Sequence, residues 1–444
     1  MKRLASILIC LVLLALACNF TSRPTATAPG IQPTASSQAA PAGGLPAETA
    51  SVSPTEENKL PTPQAGSLTV AYIKEGNLWL WSQGRSRQLT KSGEAHRPRL
   101  SPDGKLIAYL LPADDFHLEI WAIDADGQNE RKLVSVADLD AIGASARDPS
   151  AVAINPYRLE WIPGTHRLAY NTHQIFQGPG LSLLNDLNLI DADTLQKTNL
   201  LLTGWGGEFV YSPDGSQIAI SQPDKIMLSK ADGSDYRPVF SYPAVTTYSE
   251  YRYYAMPRWE KDGKALRLAL PPSDPLATPA QATSLWQIPA EGAEARQYGG
   301  IVAVPFFEQP VFFAPDLARI AFVKESGAPT ENMRELHLAA NDGSGDWLYA
   351  KAAALHFQGW SPDAEQFAYT LGGTQELWLG SLKEAPRQPG GGISGVQDLR
   401  WVDEERFLFW QASGASLELI LANLEGGTIL LDSVTGGPEY DFTP

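Results

Sequence analysis

The clearest pattern in the chain is an apolar triplet that recurs about every 40 to 50 residues, with polar turns between the copies. Its eight copies are Val70-Ala71-Tyr72, Ile107-Ala108-Tyr109, Leu168-Ala169-Tyr170, Ile218-Ala219-Ile220, Leu266-Arg267-Leu268, Ile320-Ala321-Phe322, Phe367-Ala368-Tyr369 and Phe407-Leu408-Phe409. A second apolar segment follows each triplet, and these segments are centred on Trp79, Trp121, Asn188, Met227, Trp286, His337, Trp378 and Ile420. Apolar positions alternate in both segments, which predicts paired β-strands buried between neighbouring sheets.

Two kinds of turn punctuate each repeat. The first precedes the triplet and is clearest at Ser101-Pro102-Asp103-Gly104, with copies at 212–215 and 361–363 and degenerate forms near 163, 262 and 315. The second follows the later strand, as at Asp124-Ala125-Asp126-Gly127. Proline fixes φ, aspartate bonds to nearby backbone and glycine accepts positive φ, so these residues predict tight turns between antiparallel strands.

The repeat predicts an all-β fold, a single closed β-propeller. The first copy, 68–90, has no strand before its triplet, whereas the C-terminal Tyr440-Asp441-Phe442-Thr443-Pro444 is similar to the segment Phe209-Val210-Tyr211-Ser212-Pro213 that opens another copy. We therefore predict eight four-stranded blades, or seven if one copy is misread, with the C-terminal strand closing the first blade.

The repeat has a fixed order: a turn, the apolar triplet, a second strand and an Asp-x-Asp-Gly turn. In this order the chain resembles the TolB-type β-propeller family, from Gly66 to its C-terminus. The resemblance implies an envelope protein that binds other molecules through its propeller loops. TolB itself carries an α/β domain before the propeller. Here a low-complexity segment takes that place, so the partners of TolB are not transferred to this chain.

The N-terminal region predicts that the protein is located outside the cytoplasm. Residues 1–17 have a basic start and an apolar run too short to span a bilayer, as in a signal peptide. The run ends at Cys18, which predicts a bacterial lipoprotein with lipid attached there; an ordinary signal peptide cleaved nearby is the alternative. Residues 18–65, rich in Thr, Ser, Pro and Ala, predict a disordered tether, and 66–444 the propeller. We expect membrane contact through the lipid alone.

Composition narrows the function further. The formal net charge of −16 argues against nucleic-acid partners. The two cysteines are Cys10 and Cys18, so the mature chain is left with one and can form no internal disulfide. We expect one domain, a monomer, and no cofactor.

Long insertions predict a binding face. In a propeller, the connections between the second and third strands and those between blades lie on one face, which we call the upper face. All the long insertions are predicted on this face, at 111–118, 136–157, 171–186, 241–257, 271–284, 299–309 and 324–334. The 242–254 insert carries the candidate binding residues Tyr242, Tyr248, Tyr251, Arg252, Tyr253 and Tyr254. The tyrosines either contact a partner or pack against the rim. Trp205 either lines the channel mouth or fills the space between blades.

No catalytic or metal-binding motif is recognised. Asp114, Asp115, His117, His173 and His96 have side chains that could bind zinc or transfer protons, but their spacing is also that of solvated loops. The Asp124 turn lacks the glutamate of a calcium loop, because Ser135 stands at position twelve. The sequence therefore favours binding of a protein or glycan partner. The alternative is an enzyme acting on polysaccharide or peptide at the channel mouth.

Overall fold

Eight antiparallel sheets follow one another along the chain, as the blades of a propeller. The computed structural model describes residues 67–178, 180–303, 311–326, 332–390 and 392–444, which belong to the compact unit Lys59–Pro444. The predicted signal peptide, Cys18 and the tether lie outside the described residues. No described helix has the length and apolar character needed to cross a membrane.

The blades are numbered in chain order. Blade 1 contains β1 (Thr69–Lys74), β2 (Asn77–Ser82), β3 (Arg85–Gln88) and β32 (Tyr440–Thr443). Blade 2 contains β4 (His96–Leu100), β5 (Leu106–Pro112), β6 (Leu118–Asp124) and β7 (Arg131–Val134). Blade 3 contains β8 (Ala153–Trp161), β9 (Arg167–Ile175), the short β10 (Ser182–Leu183), β11 (Leu187–Asp191) and β12 (Lys197–Leu201). Blade 4 contains β13 (Glu208–Tyr211), β14 (Gln217–Gln222), β15 (Lys225–Lys230) and β16 (Arg237–Ser241).

The second half of the ring repeats this arrangement. Blade 5 contains β17 (Arg258–Trp259), β18 (Ala265–Leu270), β19 (Thr283–Pro289) and β20 (Arg296–Ile301). Blade 6 contains β21 (Phe312–Phe313), β22 (Arg319–Glu325), β23 (Arg334–Ala340) and β24 (Trp347–Ala352). Blade 7 contains β25 (Leu355–Trp360), β26 (Gln366–Leu371) and β27 (Glu376–Ser381). Blade 8 contains β28 (Val396–Trp401), β29 (Arg406–Ser413), β30 (Ser416–Asn423) and β31 (Thr428–Val434).

The strand register confirms the predicted repeat. In every blade the last residue of the apolar triplet pairs with the predicted centre of the next strand; the pairs are Tyr72–Trp79, Tyr109–Trp121, Tyr170–Asn188, Ile220–Met227, Leu268–Trp286, Phe322–His337, Tyr369–Trp378 and Phe409–Ile420. Apart from the partly buried Arg267, the residues of the triplets are buried because each blade packs between two others. The prediction of eight blades is confirmed.

Ring closure is also confirmed. β32 pairs antiparallel with β1, from Thr69 opposite Thr443 to Tyr72 opposite Tyr440. A polar contact between blades 8 and 1 adds to it, since Asp432 accepts hydrogen bonds from the Tyr72 hydroxyl at 2.5 Å and the Lys74 ammonium at 2.6 Å. The last strand is therefore built into the first blade.

Blade 7 departs from the four-stranded pattern. Beyond β27 the ladder is reduced to a single bridge between Leu379 and Arg387. Pro386 and Pro389 flank this bridge, and proline has no N–H to donate to a strand ladder.

Several predicted insertions are partly regular structure. The 111–118 insertion is mostly an extension of the β5–β6 hairpin, and much of 171–186 is β9 and β10. The 136–157 insertion begins with the helix α1 (Val136–Gly143), which the sequence analysis did not predict. Ser135 and Asp138 form a capping box at its start.

Tryptophans of the innermost strands join neighbouring blades. Their indole N–H groups donate hydrogen bonds of 2.9 to 3.1 Å to backbone carbonyls in the innermost strand of the preceding blade. The donor and acceptor pairs are Trp161 and Arg99, Trp259 and Val210, Trp360 and Phe312, and Trp401 and Gly359. Each blade pair linked in this way shares a hydrogen bond as well as apolar packing, which fixes the inner walls of the channel.

Candidate functional site

A cavity lies in the central channel, beneath the 242–254 insert. Its volume is about 910 Å³, and the innermost strands of blades 3 to 6 form much of its wall. Tyr251, Arg252, Tyr253 and Tyr254 of the insert line it as well. The volume is within the range of pockets that hold small ligands or short segments. The structure thus brings four of the predicted binding residues to the edge of one cavity.

Three tyrosines of the insert have packing roles. Tyr242 is buried and donates its hydroxyl hydrogen to the Gln222 carbonyl at 2.8 Å. Tyr253 packs against the apolar cluster around Trp259. Tyr254 donates to Asn185 at 2.8 Å, and burial raises the pKa of its phenol. These side chains attach the insert to blades 3, 4 and 5.

Tyr248 and Tyr251 are exposed, with relative accessibilities of 60% and 45%. Tyr248 has a positive φ of 56°, and its hydroxyl donates to Asp274 at 2.6 Å. Thr247 donates to the Tyr251 carbonyl, so a local turn holds both rings outward. Some tyrosines of the insert are therefore packed against the blades and others are exposed. Of the two predicted roles, packing fits the first group, and contact with a partner is open only to the second.

Trp205 lies away from both channel cavities described here. Its ring is 58% exposed and its centroid is 5.6 Å from that of Tyr236, which precedes β16. The Tyr236 hydroxyl donates to the Trp205 carbonyl at 2.5 Å. The residues lining these two cavities do not include Trp205. Its ring is exposed and packs beside Tyr236, just before the outermost strand of blade 4.

A second channel cavity of about 710 Å³ shares Arg158, Glu160 and Met256 with the first. Arg158 contacts Glu160 at 2.8 Å and Glu208 at 3.4 Å. Burial raises the pKa of Glu208, although the charge of Arg158 opposes that shift. Burial likewise raises the pKa of Asp441, which accepts the Leu100 N–H at 2.8 Å. This part of the channel is lined by ion pairs.

Arginines of the innermost strands are the channel residues that sequence reasoning missed. Arg99 and Arg258, which line the two cavities, each stand directly before a large apolar residue of the innermost strand, at the ends of β4 and β17. Alternation along a strand places neighbours on opposite faces, so an arginine beside a packed residue could have been assigned to the channel side. That signal is visible only once the innermost strands are known.

The candidate metal or acid–base residues do not converge. His117 contacts Asp114 at 2.8 Å within the β5–β6 hairpin, and His96 is 3.8 Å from Glu439. His173 is packed 5.4 Å from the Tyr157 ring, and burial, with the nearby charge of Arg97, lowers its pKa to about 4. Within the described residues no group of three or more His, Cys, Asp or Glu is arranged to hold a metal ion.

Fold and cavity together define the protein as an eight-bladed β-propeller with a ligand-sized cavity in its channel. It is similar to a crystal structure described as a eukaryotic initiation factor, with 12% identity, a TM-score of 0.50, and coverage of 86% of this chain and 99% of that chain. It is also similar to TolB from Acinetobacter baumannii, with 13% identity, a TM-score of 0.37, and coverage of 88% and 89%. A third similar structure is an oligogalacturonate lyase in complex with manganese, with 12% identity, a TM-score of 0.46, and coverage of 80% of this chain and 96% of that chain.

The likeness with a TM-score of 0.50 bears on the fold alone, and identities of this size say nothing about ligands. No protein-family model and no curated protein sequence matches the chain.

Proposed function

We propose that this protein is an extracytoplasmic lipoprotein whose propeller binds a protein or glycan partner at the channel mouth. One observation carries the proposal: the exposed Tyr251 and Arg252 stand at the edge of the 910 Å³ cavity, on an insert that Tyr242 and Tyr254 attach to the blades. A rigid scaffold that presents exposed aromatic and arginine side chains beside a concavity has the composition of binding hot spots.

Further apolar side chains support binding on the same face. Met256, which lines the cavity, is exposed, and so is Leu276 of the β18–β19 connection, next to the Tyr248–Asp274 contact. Exposed apolar residues grouped around a cavity favour an interaction surface over a merely solvated rim.

The binding experiment compares the full-length chain with two variants. The partner is identified by affinity capture and mass spectrometry, and in parallel on a glycan array. The double variant Tyr251→Ala, Arg252→Ala should lose the captured partner, whereas Trp205→Ala, an equally exposed aromatic residue away from the cavity, should retain it. Equal capture by all three proteins would contradict a site at the channel mouth.

The lipid anchor has its own test. Cys18 is the one cysteine left after a cleavage at residue 17, and a cysteine at that place is what lipid attachment needs. Mass spectrometry of the native protein should find lipid on Cys18, and Cys18→Ser should release the protein from the membrane fraction. An unmodified Cys18 in the native protein would contradict the anchor but leave the binding site untouched.

An enzyme acting on polysaccharide or peptide is the second candidate. The observation that favours it is the pair Glu160 and Glu208 on either side of Arg158, since a carboxyl with a raised pKa can act as a general acid. Turnover of a polysaccharide or peptide substrate that disappears in Glu208→Gln while Tm is retained would support this function. The larger cavity argues for binding, because Glu160 is the one carboxylate among its described lining residues.

A further inference from the structure

Arg258 is a cation in the channel wall without a counter-ion among the described residues. It lies on β17, lines the larger cavity, and has no ion pair or hydrogen bond within the described ranges. Arg258 is exposed to solvent through the cavity, and desolvation by the protein packed around its guanidinium lowers the pKa of that group. A guanidinium nevertheless stays protonated at neutral pH.

The neighbours of Arg258 make its charge less favourable still. Its cross-strand partner on β18 is Arg267, and like charges directly opposite each other destabilise a strand pair. Glu260, two residues further along the chain, is occupied: one carboxylate oxygen accepts from Arg267 at 2.8 Å and from Gln287 at 2.8 Å. Arg267 is also stacked 4.8 Å from the Tyr298 ring centre. The carboxylate of Glu260 is therefore used by Arg267, and no other described carboxylate is paired with Arg258.

The cavity as a whole has an excess of positive charge. Among the described residues, the charged ones that line it are Arg158, Arg252, Arg258 and Glu160, and Glu160 is paired with Arg158 at 2.8 Å. This excess occurs in a chain whose formal net charge is −16. The cavity therefore complements an anion, even though the protein as a whole would repel one.

One part of the uncharged wall is apolar and poor in hydrogen-bond donors, whereas Ser212, Thr247, Ser249 and several tyrosines supply hydroxyl groups elsewhere in the cavity. Pro163, Pro213, Pro257 and Pro315 have no N–H, and the apolar side chains Val210, Val311, Phe313, Ala314 and Leu317 are close by in the same wall. A sugar ring needs partners for several hydroxyl groups when it is buried. An apolar group needs none, so the apolar part of the wall favours an apolar group attached to the anion.

We propose that Arg258 binds the carboxylate of a ligand whose flanking group is apolar and fills the channel cavity. This inference rests on the proposed function, because it names the chemistry recognised at the same site. A planar carboxylate can accept two parallel N–H bonds from the guanidinium. Two sources have this chemistry: the C-terminus of a peptide chain that ends in an apolar residue, and a free apolar carboxylic acid.

The test uses the full-length protein and pairs of probes that differ only in charge. Ac-Ala-Ala-Pro-Phe with a free carboxyl terminus is compared with its amide, and 4-phenylbutanoate with 4-phenylbutanamide, by calorimetric titration. In at least one pair the acid should bind about tenfold more tightly than the amide, as for a charge-assisted hydrogen bond. Which pair shows the preference distinguishes a chain terminus from a free acid.

Two variants and a matched control connect the preference to Arg258. Arg258→Leu should reduce the preference for the acid to less than about twofold, and Arg258→Lys, which keeps the charge but cannot form the paired bonds, should leave an intermediate value. Arg296→Leu removes an exposed arginine from β20 of the same blade and should change nothing. Because Arg258→Leu also removes a like-charge pair, its Tm should be equal to or above that of the wild type.

Equal binding of acid and amide in both probe pairs would overturn the inference. So would a preference that survives in Arg258→Leu, or binding of a glucuronate-containing tetrasaccharide in place of both apolar acids. None of these results affects the proposed function, which is contradicted separately if the partner captured by the wild type is also retained by the Tyr251→Ala, Arg252→Ala variant.

Discussion

The hydroxyl group of Tyr440 donates a hydrogen bond to the backbone carbonyl of Asp398 at 2.6 Å. Tyr440 belongs to the strand that completes blade 1, and Asp398 to the innermost strand of blade 8. The Arg400 guanidinium lies 4.4 Å from the centre of the same ring. One fully buried side chain therefore holds together the two blades at which the ring closes.

Removal of the closing strand should destabilise the whole propeller. A chain truncated before Tyr440 loses the ladder to β1 and the burial of Tyr440, and the free energy of unfolding should fall by a few kcal/mol. Tyr440→Phe keeps the ring but loses the hydrogen bond and should cost about 1 kcal/mol. Urea unfolding measures both variants. If the truncated chain is as stable as the wild type, β32 does not close the ring in solution.

Buried serines stabilise the turns that precede the triplets. Ser212 is fully buried, donates to Asp214 at 2.6 Å and accepts the Gln217 N–H at 2.9 Å. Ser212→Ala leaves that N–H without a partner and should cost about 1 to 3 kcal/mol. The exposed Ser216, which also donates to Asp214, is the matched control, and Ser216→Ala should cost much less. Similar losses in both variants would show that burial of the serine is unimportant.

The stability of the blade 2 to blade 3 contact should depend on pH through His166. Burial alone would lower the pKa of His166, but hydrogen bonds to Asp193 at 2.9 Å and Asp103 at 3.2 Å outweigh it and raise the pKa. Because the pKa of His166 is higher in the folded than in the unfolded chain, its ion pairs stabilise the fold fully below about pH 6.5, the pKa in the unfolded chain. This stabilisation is lost as the pH rises through the pKa of the folded chain.

The measurement is denaturant unfolding of the wild type and His166→Gln at pH 5.5 and pH 8.5. The wild type should exceed the variant in stability at pH 5.5, and the difference should shrink at pH 8.5. His356→Gln, at an exposed position of β25, should show no such trend. A difference that grows with pH would have the wrong sign and contradict the ion pairs.

Much of the fold was predictable because the triplets and turns are local features. Alternating apolar residues identify a strand, and Asp-Gly turns identify a hairpin, without knowledge of distant contacts. The closing strand was predictable for the same reason, since 440–444 is similar to the other opening segments. By contrast, α1 was not predicted because it lies inside an insertion without periodic apolar positions. The reduced fourth strand of blade 7 was not predicted either, although the two prolines beside its bridge are visible in the sequence.

The candidate site was predictable only in part. The density of tyrosine in the 242–254 insert identified the right loop, but which tyrosines are exposed depends on contacts with Gln222 and Asn185, far from them in sequence. The surroundings of Trp205 likewise depend on a residue distant in sequence, because its ring packs beside Tyr236. Arg258 was missed because a channel exists only after all eight blades have closed.

The most direct test of a binding site at the channel mouth separates affinity from stability within one insert. Tyr248→Ala combined with Tyr251→Ala removes the two exposed rings, and Tyr242→Ala removes a buried one. With the captured partner as ligand, the double variant should lose at least about tenfold in affinity at unchanged Tm. Tyr242→Ala should lower Tm, because it creates a cavity and leaves the Gln222 carbonyl without its donor. If instead the double variant keeps full affinity for the partner, the exposed tyrosines are not its binding site and the account is wrong.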